Sequence, residues 1–127
     1  MRHHEDELHT QIAKALPLIL PSSVVWWSNE SRGVGEREGK RRKARGVRAG
    51  VPDMEFHYCY AHGDYPLSCF IELKAPKGVV SEAQKALHAS LRAIGHHVSV
   101  CRSLDDVIDA LRRAGCPLHV RNQVAAE

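Results

Sequence analysis

Long apolar runs are missing from this sequence. No stretch approaches the ~18 apolar residues that a membrane helix needs. The opening segment, Met1–Glu7, carries charges and histidines in place of the apolar segment of a secretory signal. We therefore expect a cytoplasmic protein.

Closely spaced cysteines are missing as well, and zinc or redox sites normally need them. We predict that all four cysteines are reduced and buried as small apolar side chains; they are Cys59, Cys69, Cys101 and Cys116. Histidine is plentiful, but the adjacent pairs His3-His4 and His96-His97 do not have the i, i+4 spacing of helical metal ligands. We interpret both pairs as polar surface.

The length of 127 residues predicts a single domain, 1–127, with one modest core over about 5–114. No internal repeat divides it. The tail 117–127 shows no clear element, and we expect it to be disordered.

Positive charge is concentrated in one segment. Between Arg32 and Arg48, eight basic residues stand against two acidic ones, a net charge of +6, whereas the whole chain carries +3 and its remainder therefore −3. Segment 31–50 is also rich in glycine and almost without apolar side chains, which predicts a long, mobile loop that contacts a phosphate backbone. A merely solvated charge run is the alternative. The candidate DNA-binding residues are Arg37, Lys40, Arg41, Arg42, Lys43, Arg45 and Arg48, with Lys77 outside the loop.

Apolar periodicity predicts the first elements. A helix covers 5–16 and is stopped by Pro17 and Pro21. A short strand at 24–27 follows, and strands at 54–60 and 67–74 alternate apolar with polar residues and form an antiparallel hairpin.

The second half begins with a capping box, in which Ser81 and Gln84 start a helix that ends at Gly95. Its buried side chains should be Leu87, Leu91 and Ile94. A strand at 98–101 and a helix capped by Ser103 complete the order α-β-β-β-α-β-α. This order predicts an α/β fold with a mixed central β-sheet flanked by helices.

Asp53, Glu72 and Lys74 converge in the predicted hairpin. Glu72 and Lys74 lie two residues apart, so their side chains share one face of the strand. If Tyr60 pairs with Leu67, Asp53 lies opposite Lys74 on that face. Charges are costly in such an apolar strand without a metal, partner or substrate. Two carboxylates suit Mg²⁺, and a lysine can steady a water or a developing phosphate charge, so these residues suffice for hydrolysing a phosphodiester.

The same residues resemble the PD-(D/E)xK nuclease signature. Eighteen residues separate Asp53 from Glu72-Leu73-Lys74, and Pro52-Asp53 supplies the letters PD. The wider pattern, from about Glu5 to Ala114, resembles a stand-alone VRR-NUC domain of the bacterial or phage kind with a restriction-endonuclease-like core. The matching segments are Glu7 and Gln11, Asn29-Glu30, Gly50-Val51-Pro52-Asp53, Glu72 to Gly78, Ser81, Gln84 and Gly95.

The resemblance implies a Mg²⁺-dependent endodeoxyribonuclease, with Mn²⁺ possible, that cleaves branched DNA such as four-way (Holliday) junctions as a homodimer. It implies that Asp53, Glu72 and the backbone carbonyl of Leu73 bind the metal. Lys74 would act on the attacking water, and Gln84 matches a glutamine that faces the site. Gln84 can equally be only the capping-box residue.

A glutamate of the first helix commonly completes such a site. We predict Glu7 for this role, with Glu5 and Glu30 as alternatives. His57 shares a face with Asp53 and is predicted to be a surface histidine. Two other functions remain open: a non-catalytic DNA-binding module with a vestigial metal site, and a sequence-specific restriction-type endonuclease.

Overall fold

Four strands and four helices make up the fold in a computed structural model that describes residues 2–29 and 35–119. The elements are α1 (Arg2–Ile19), β1 (Val25–Ser28), α2 (Glu36–Ala44), β2 (Met54–Cys59), β3 (Pro66–Leu73), α3 (Glu82–Ala93), β4 (His97–Cys101) and α4 (Leu104–Arg113). The predicted α/β order is confirmed, with α2 added between the first two strands.

The sheet is mixed, as predicted, with the strand order β1-β2-β3-β4. Strands β1, β2 and β3 are antiparallel neighbours, whereas β3 and β4 are parallel and are joined through α3. Parallel neighbours need such a crossover because the chain must return to the same end of the sheet.

One face of the sheet carries the apolar core. Alternate residues of the central strands point to this face and are buried, namely Met54, Phe56 and Tyr58 of β2 and Cys69, Ile71 and Leu73 of β3. Helices α1 and α4 cover the face, and their Ile12, Leu16, Val107 and Leu111 have 0% exposure. Each such side chain stabilises the fold by about 1.5–3 kcal/mol.

The hairpin register differs from the predicted one by two residues. The backbone N–H of Tyr60 donates to the carbonyl of Tyr65 at 2.9 Å, and the two rings stack. This tighter turn leaves four residues at its tip, so β3 starts at Pro66 and Asp53 lies opposite Glu72 instead of Lys74. Because the side-chain period of a strand is two, the shift keeps every side chain on its predicted face.

Two helix predictions need correction. Helix α1 does not end at Pro17 but continues to Ile19, since a proline near the C-terminal end removes only one backbone bond and Leu20 N–H still reaches the carbonyl of Leu16 at 2.9 Å. Of the three side chains predicted to be buried in the helix at 81–95, only Leu87 is buried. Leu91 is half-buried, the C-cap Ile94 is 73% exposed, and His88 is buried in addition to Leu87.

Residues 36–44 form α2, so the prediction of a loop without secondary structure is wrong there. Glutamates occupy its first turn and basic residues its last, an arrangement that the helix dipole favours. Glu38 also lies 3.4 Å from both Arg41 and Arg42. No residue of α2 is buried, so charge pairing and not core packing accounts for this helix.

All four cysteines are free as predicted, and three of them are buried, but Cys59 is exposed because it ends β2 at the hairpin turn. None of the helices in the described ranges combines the length and apolarity that a bilayer crossing requires. Residues 120–127 of the predicted tail, residues 31–34 of the basic segment, with Arg32, and the alternative ligand Glu30 lie outside the described residues.

Ile12 and Leu18 of α1 provide a matched test of this core. Ile12 is 0% exposed and Leu18 is 79% exposed. Ile12→Ala should lower the free energy of unfolding by about 2–5 kcal/mol, because it leaves a cavity under the sheet. Leu18→Ala should change it by less than about 0.5 kcal/mol. Urea denaturation measures both, and equal losses would contradict this packing.

Candidate metal centre

Asp53 lies directly before β2, at the end of the sheet where β1 stops. Its Oδ2 accepts a hydrogen bond from the backbone N–H of Leu73 at 2.7 Å. Its own backbone carbonyl accepts one from the N–H of Asn29 at 2.8 Å. These bonds fix the carboxyl group between β1 and β3, opposite Glu72.

Glu72 places a carboxyl group in the interior, since the residue is only 2% exposed. Its Oε2 accepts a hydrogen bond from Nε2 of Gln84 at 2.9 Å and lies 3.9 Å from Nζ of Lys74. Its Oε1 has no hydrogen-bond partner. Burial, and then the negative charge and hydrogen bonding of Asp53, raise the pKa of Glu72 to about 9, and Lys74 opposes the rise only in part.

Gln84 serves the helix cap and the site together. Its Oε1 accepts from the backbone N–H of Ser81 at 2.8 Å, and its backbone N–H donates to Oγ of Ser81 at 3.1 Å, which completes the predicted capping box. Its side-chain Nε2 remains free to hold Glu72. The two roles that the sequence left open are therefore compatible.

A glycine brings the Asp53 segment close to α3. Gly50 has φ +86°, and a Cβ atom there would lie 2.6 Å from the carbonyl oxygen of Ala83. Only glycine permits both this backbone conformation and this approach. The contact places the segment that leads to Asp53 against the first turn of α3, which carries Gln84.

Glu5 is the glutamate of α1 whose charge acts on Glu72. The charge of Glu5 contributes to the raised pKa of Glu72, and its Oε2 lies 2.9 Å from where a Cβ of Gly78 would stand. Glu7 lies two residues further along α1, so its side chain is rotated by about 200° about the helix axis relative to that of Glu5. Glu7 lines a groove on α1. The groove consists of Asp6, Glu7, Thr10, Gln11 and Lys14.

The loop after β3 is held by a residue that the sequence analysis missed. Nη1 of Arg102 donates to the carbonyl oxygens of Ala75 at 2.6 Å and Gly78 at 3.0 Å. This clamp fixes the turn that follows Lys74 and carries the exposed Lys77. No local motif marks such a residue, because its partners are backbone atoms 24 to 27 positions away.

His88 is the second residue that the sequence analysis missed, although its spacing contains a signal. It follows Gln84 by four residues, so both lie on one face of α3. That face packs over Glu72, with Nε2 of His88 3.8 Å from Oε1 of Glu72. His57, by contrast, lies outside the cluster, where its ring stacks on Trp27 and bonds Ser68 and Glu55.

The donor set suits a divalent ion. Among the described residues, no three His, Cys, Asp or Glu side chains are grouped as a complete metal site. Mg²⁺ does not need one, since it binds through one or two carboxylates and takes its other ligands from water and phosphate. Two facing carboxyl groups and the unpartnered Oε1 of Glu72 provide that minimum.

A family profile and a solved structure identify the type of domain. The profile of the VRR-NUC domain matches residues 4–105. The chain belongs to the VRR-NUC family. A solved structure described as a VRR_NUC domain protein has the same fold, with a TM-score of 0.59 and 23% identity over 87% of this chain and 86% of that chain. A search of the curated proteins finds no match. The chain is thus a domain of the nuclease type.

The basic residues of this VRR-NUC domain are largely accessible. Lys40, Arg41, Lys43 and Arg45 are exposed, and Arg42 is half-buried. Glu38 pairs with Arg41, Arg42 and, at 3.9 Å, Arg45. Helix α2 is inserted between β1 and β2, the strand ends that hold Asn29 and Asp53. Along the chain, the basic segment therefore lies between Asn29 and the candidate ligand Asp53.

The raised pKa of Glu72 in this VRR-NUC domain predicts a specific pH dependence of stability. Between its ordinary value of 4.5 and about 9, folded Glu72 keeps a proton that the unfolded chain releases. The metal-free protein should therefore lose stability as the pH rises through this range, because the fold must then hold a buried charge. Glu72→Gln should remove the dependence and raise the melting temperature near pH 8.

Melting temperatures from about pH 5 to about pH 9 measure this effect. Glu82→Gln is the matched control, since the side chain of Glu82 is 92% exposed and its loss should leave the pH profile unchanged. A Glu72→Gln variant that keeps the wild-type profile would contradict the assignment.

Proposed function

We propose that this chain is a divalent-metal-dependent, structure-selective DNA endonuclease that cleaves branched DNA such as four-way junctions as a homodimer. The observation that carries the proposal is the buried Glu72 beside Asp53, with an unpartnered oxygen and Lys74 within 3.9 Å. Membership of a nuclease family supports it. A homodimer follows from the need for two cuts on opposing strands by a domain with one site.

The metal would be held by Asp53, Glu72 and the backbone carbonyl of Leu73. Glu5 is our choice to complete the set, in place of Glu7, because its charge contributes to the raised pKa of Glu72. When bound, Mg²⁺ or Mn²⁺ supplies charge that polarises the scissile phosphate and lowers the pKa of a water. Gln84 holds Oε2 of Glu72 and so orients the carboxylate.

Lys74 supplies the positive charge of the protein itself. It is 8% exposed and follows Glu72 by two residues on the same face. A buried ammonium group loses little energy to solvent screening, so it can orient an attacking water and stabilise negative charge that develops on the phosphate. When Glu72 is deprotonated, its carboxylate, with Oε2 3.9 Å from Nζ, would keep the ammonium group in place.

Contact with the DNA backbone is proposed for α2 and the residues beside it. The exposed cations of this segment would displace counterions from phosphates and give affinity that falls steeply with salt. Lys77, at the exposed turn after Lys74, would touch a phosphate nearer the site. The full proposed set is Arg37, Lys40, Arg41, Arg42, Lys43, Arg45, Arg48 and Lys77.

Asp53→Ala and Lys74→Ala should each lower the cleavage rate by at least about a hundredfold. Asp53→Ala removes a proposed ligand of the metal, and Lys74→Ala removes an ammonium group, so both reduce the positive charge that stabilises the reacting phosphate. DNA affinity should change little. Gel assays on linear duplex and a four-way junction, with Mg²⁺, Mn²⁺ or EDTA, measure cleavage, and fluorescence anisotropy measures binding. Asp64→Ala, an exposed aspartate in the hairpin turn, is the control and should cut like wild type.

Other outcomes of these assays would favour a different function or contradict the metal site. Salt-sensitive binding by the wild type without cutting under any divalent ion would favour the non-catalytic module. Cutting at one fixed position of linear duplex would favour the restriction-type enzyme. Equal loss of cleavage and binding in Asp53→Ala would contradict a metal role for Asp53.

The double variant Arg41→Gln/Lys43→Gln should weaken binding to every DNA sequence alike. It removes about two phosphate contacts, so the slope of log affinity against log salt should fall by roughly 1.8. Lys14→Gln/Arg113→Gln removes two exposed cations from other helices and should leave the slope unchanged. Anisotropy titrations at several salt concentrations compare them, and equal slopes for the two doubles would rule out α2 as the contact.

A further inference from the structure

Two buried polar atoms face each other beside the proposed metal site. Oε1 of Glu72 and Nε2 of His88 lie 3.8 Å apart, and both side chains are 3% exposed. Only one other buried polar atom among the described side chains shares their lack of a hydrogen-bond partner. Since unpaired buried groups cost stability, two of them on neighbouring residues require an explanation.

The separation is just beyond bonding distance. A usual N–H···O hydrogen bond spans about 3.0 Å, so the gap must close by roughly 0.8 Å. A small change in the side-chain torsions of Glu72 achieves this. The charged carboxylate, which metal binding requires, attracts a donor more strongly than the neutral acid does.

Helix α3 presents two donors to the same carboxyl group. Gln84 holds Oε2 at 2.9 Å, and His88, one helical turn later, faces Oε1. We propose that His88 is a positioning residue, whose Nε2–H bonds Oε1 of Glu72 and, with Gln84, fixes the carboxylate in the orientation that binds the metal. Such outer partners commonly contribute ten- to hundredfold to metal affinity.

Direct metal ligation by His88 is the competing role. Nε2 of His88 lies 3.8 Å from Oε1 of Glu72, which is within about 0.8 Å of hydrogen-bond distance. Mg²⁺ also prefers oxygen to imidazole nitrogen. Both observations favour the hydrogen-bonding role.

Mn²⁺ titrated alone into metal-free protein, followed by calorimetry near pH 8, tests the inference without DNA. His88→Leu keeps the apolar bulk but removes the donor and should weaken Mn²⁺ binding about tenfold or more. His88→Gln places an amide nitrogen at the reach of Nε2 and should stay within about threefold of wild type. His62→Leu, at an exposed histidine, controls for generic loss of imidazole and should bind normally.

Wild-type affinity in His88→Leu would overturn the inference, as would equal loss in His88→Leu and His88→Gln, which would indicate a ligand. If melting curves show that His88→Leu does not fold, His88→Asn replaces it. Its amide reaches only as far as Nδ1, so it should weaken binding where His88→Gln does not, and parity between the two would again overturn the inference.

The inference rests on the proposed metal site, and parallel cleavage assays separate the two. A wild type that binds Mn²⁺ but cuts no DNA would refute the nuclease proposal and leave the comparison of His88 variants valid. A wild type that cuts, with normal binding by His88→Leu, would refute only the role of His88. A wild type that binds no Mn²⁺ would overturn both.

Discussion

At the end of the sheet that carries the candidate site, the fold must accommodate one buried carboxyl group beside a second one. Glu72 has 2% exposure and faces Asp53, so the polar face of β3 cannot be covered by an ordinary apolar helix face. Helix α3 meets it with Gln84 and His88, whose polar groups point at the carboxylate oxygens. The close passage of Gly50 along α3 follows from the same requirement, because it brings Asp53 into the cluster.

Successive side chains of β3 point alternately to the apolar core and to the candidate site. Ile71 and Leu73 enter the core on one face, while Glu72 lies between them and points to the other. A one-residue slip would exchange the faces and bury the carboxylate in the core, whereas a two-residue slip would not. The parity of the pattern therefore sufficed to place Asp53 and Glu72 together, although Asp53 is opposite Glu72 and not Lys74.

What the sequence could not predict depended on contacts that no local pattern encodes. Helix α2 forms from charge pairs in a segment without a core face, and apolar periodicity cannot detect it. Whether Glu5 or Glu7 points to the site depends on the rotation of α1 about its axis, which tertiary packing fixes and no local pattern encodes. Ile94 fitted the apolar spacing of α3, yet the helix turns that position to solvent and buries His88. The caps at Ser81 and Ser103, by contrast, are local and were predicted correctly.

Under the proposed function, a proton and a metal ion compete for this site. With a pKa of about 9, Glu72 holds a proton near neutral pH and so avoids a buried charge beside Asp53. A divalent ion removes the reason for that proton, since it compensates both carboxylates at once. The arrangement that costs the empty fold stability therefore becomes favourable when metal binds, and any binding to the folded state alone stabilises it. The polar partners on α3 would assist this replacement of the proton by the metal ion. They are hydrogen-bond donors, which tolerate the neutral acid but bind the carboxylate more strongly.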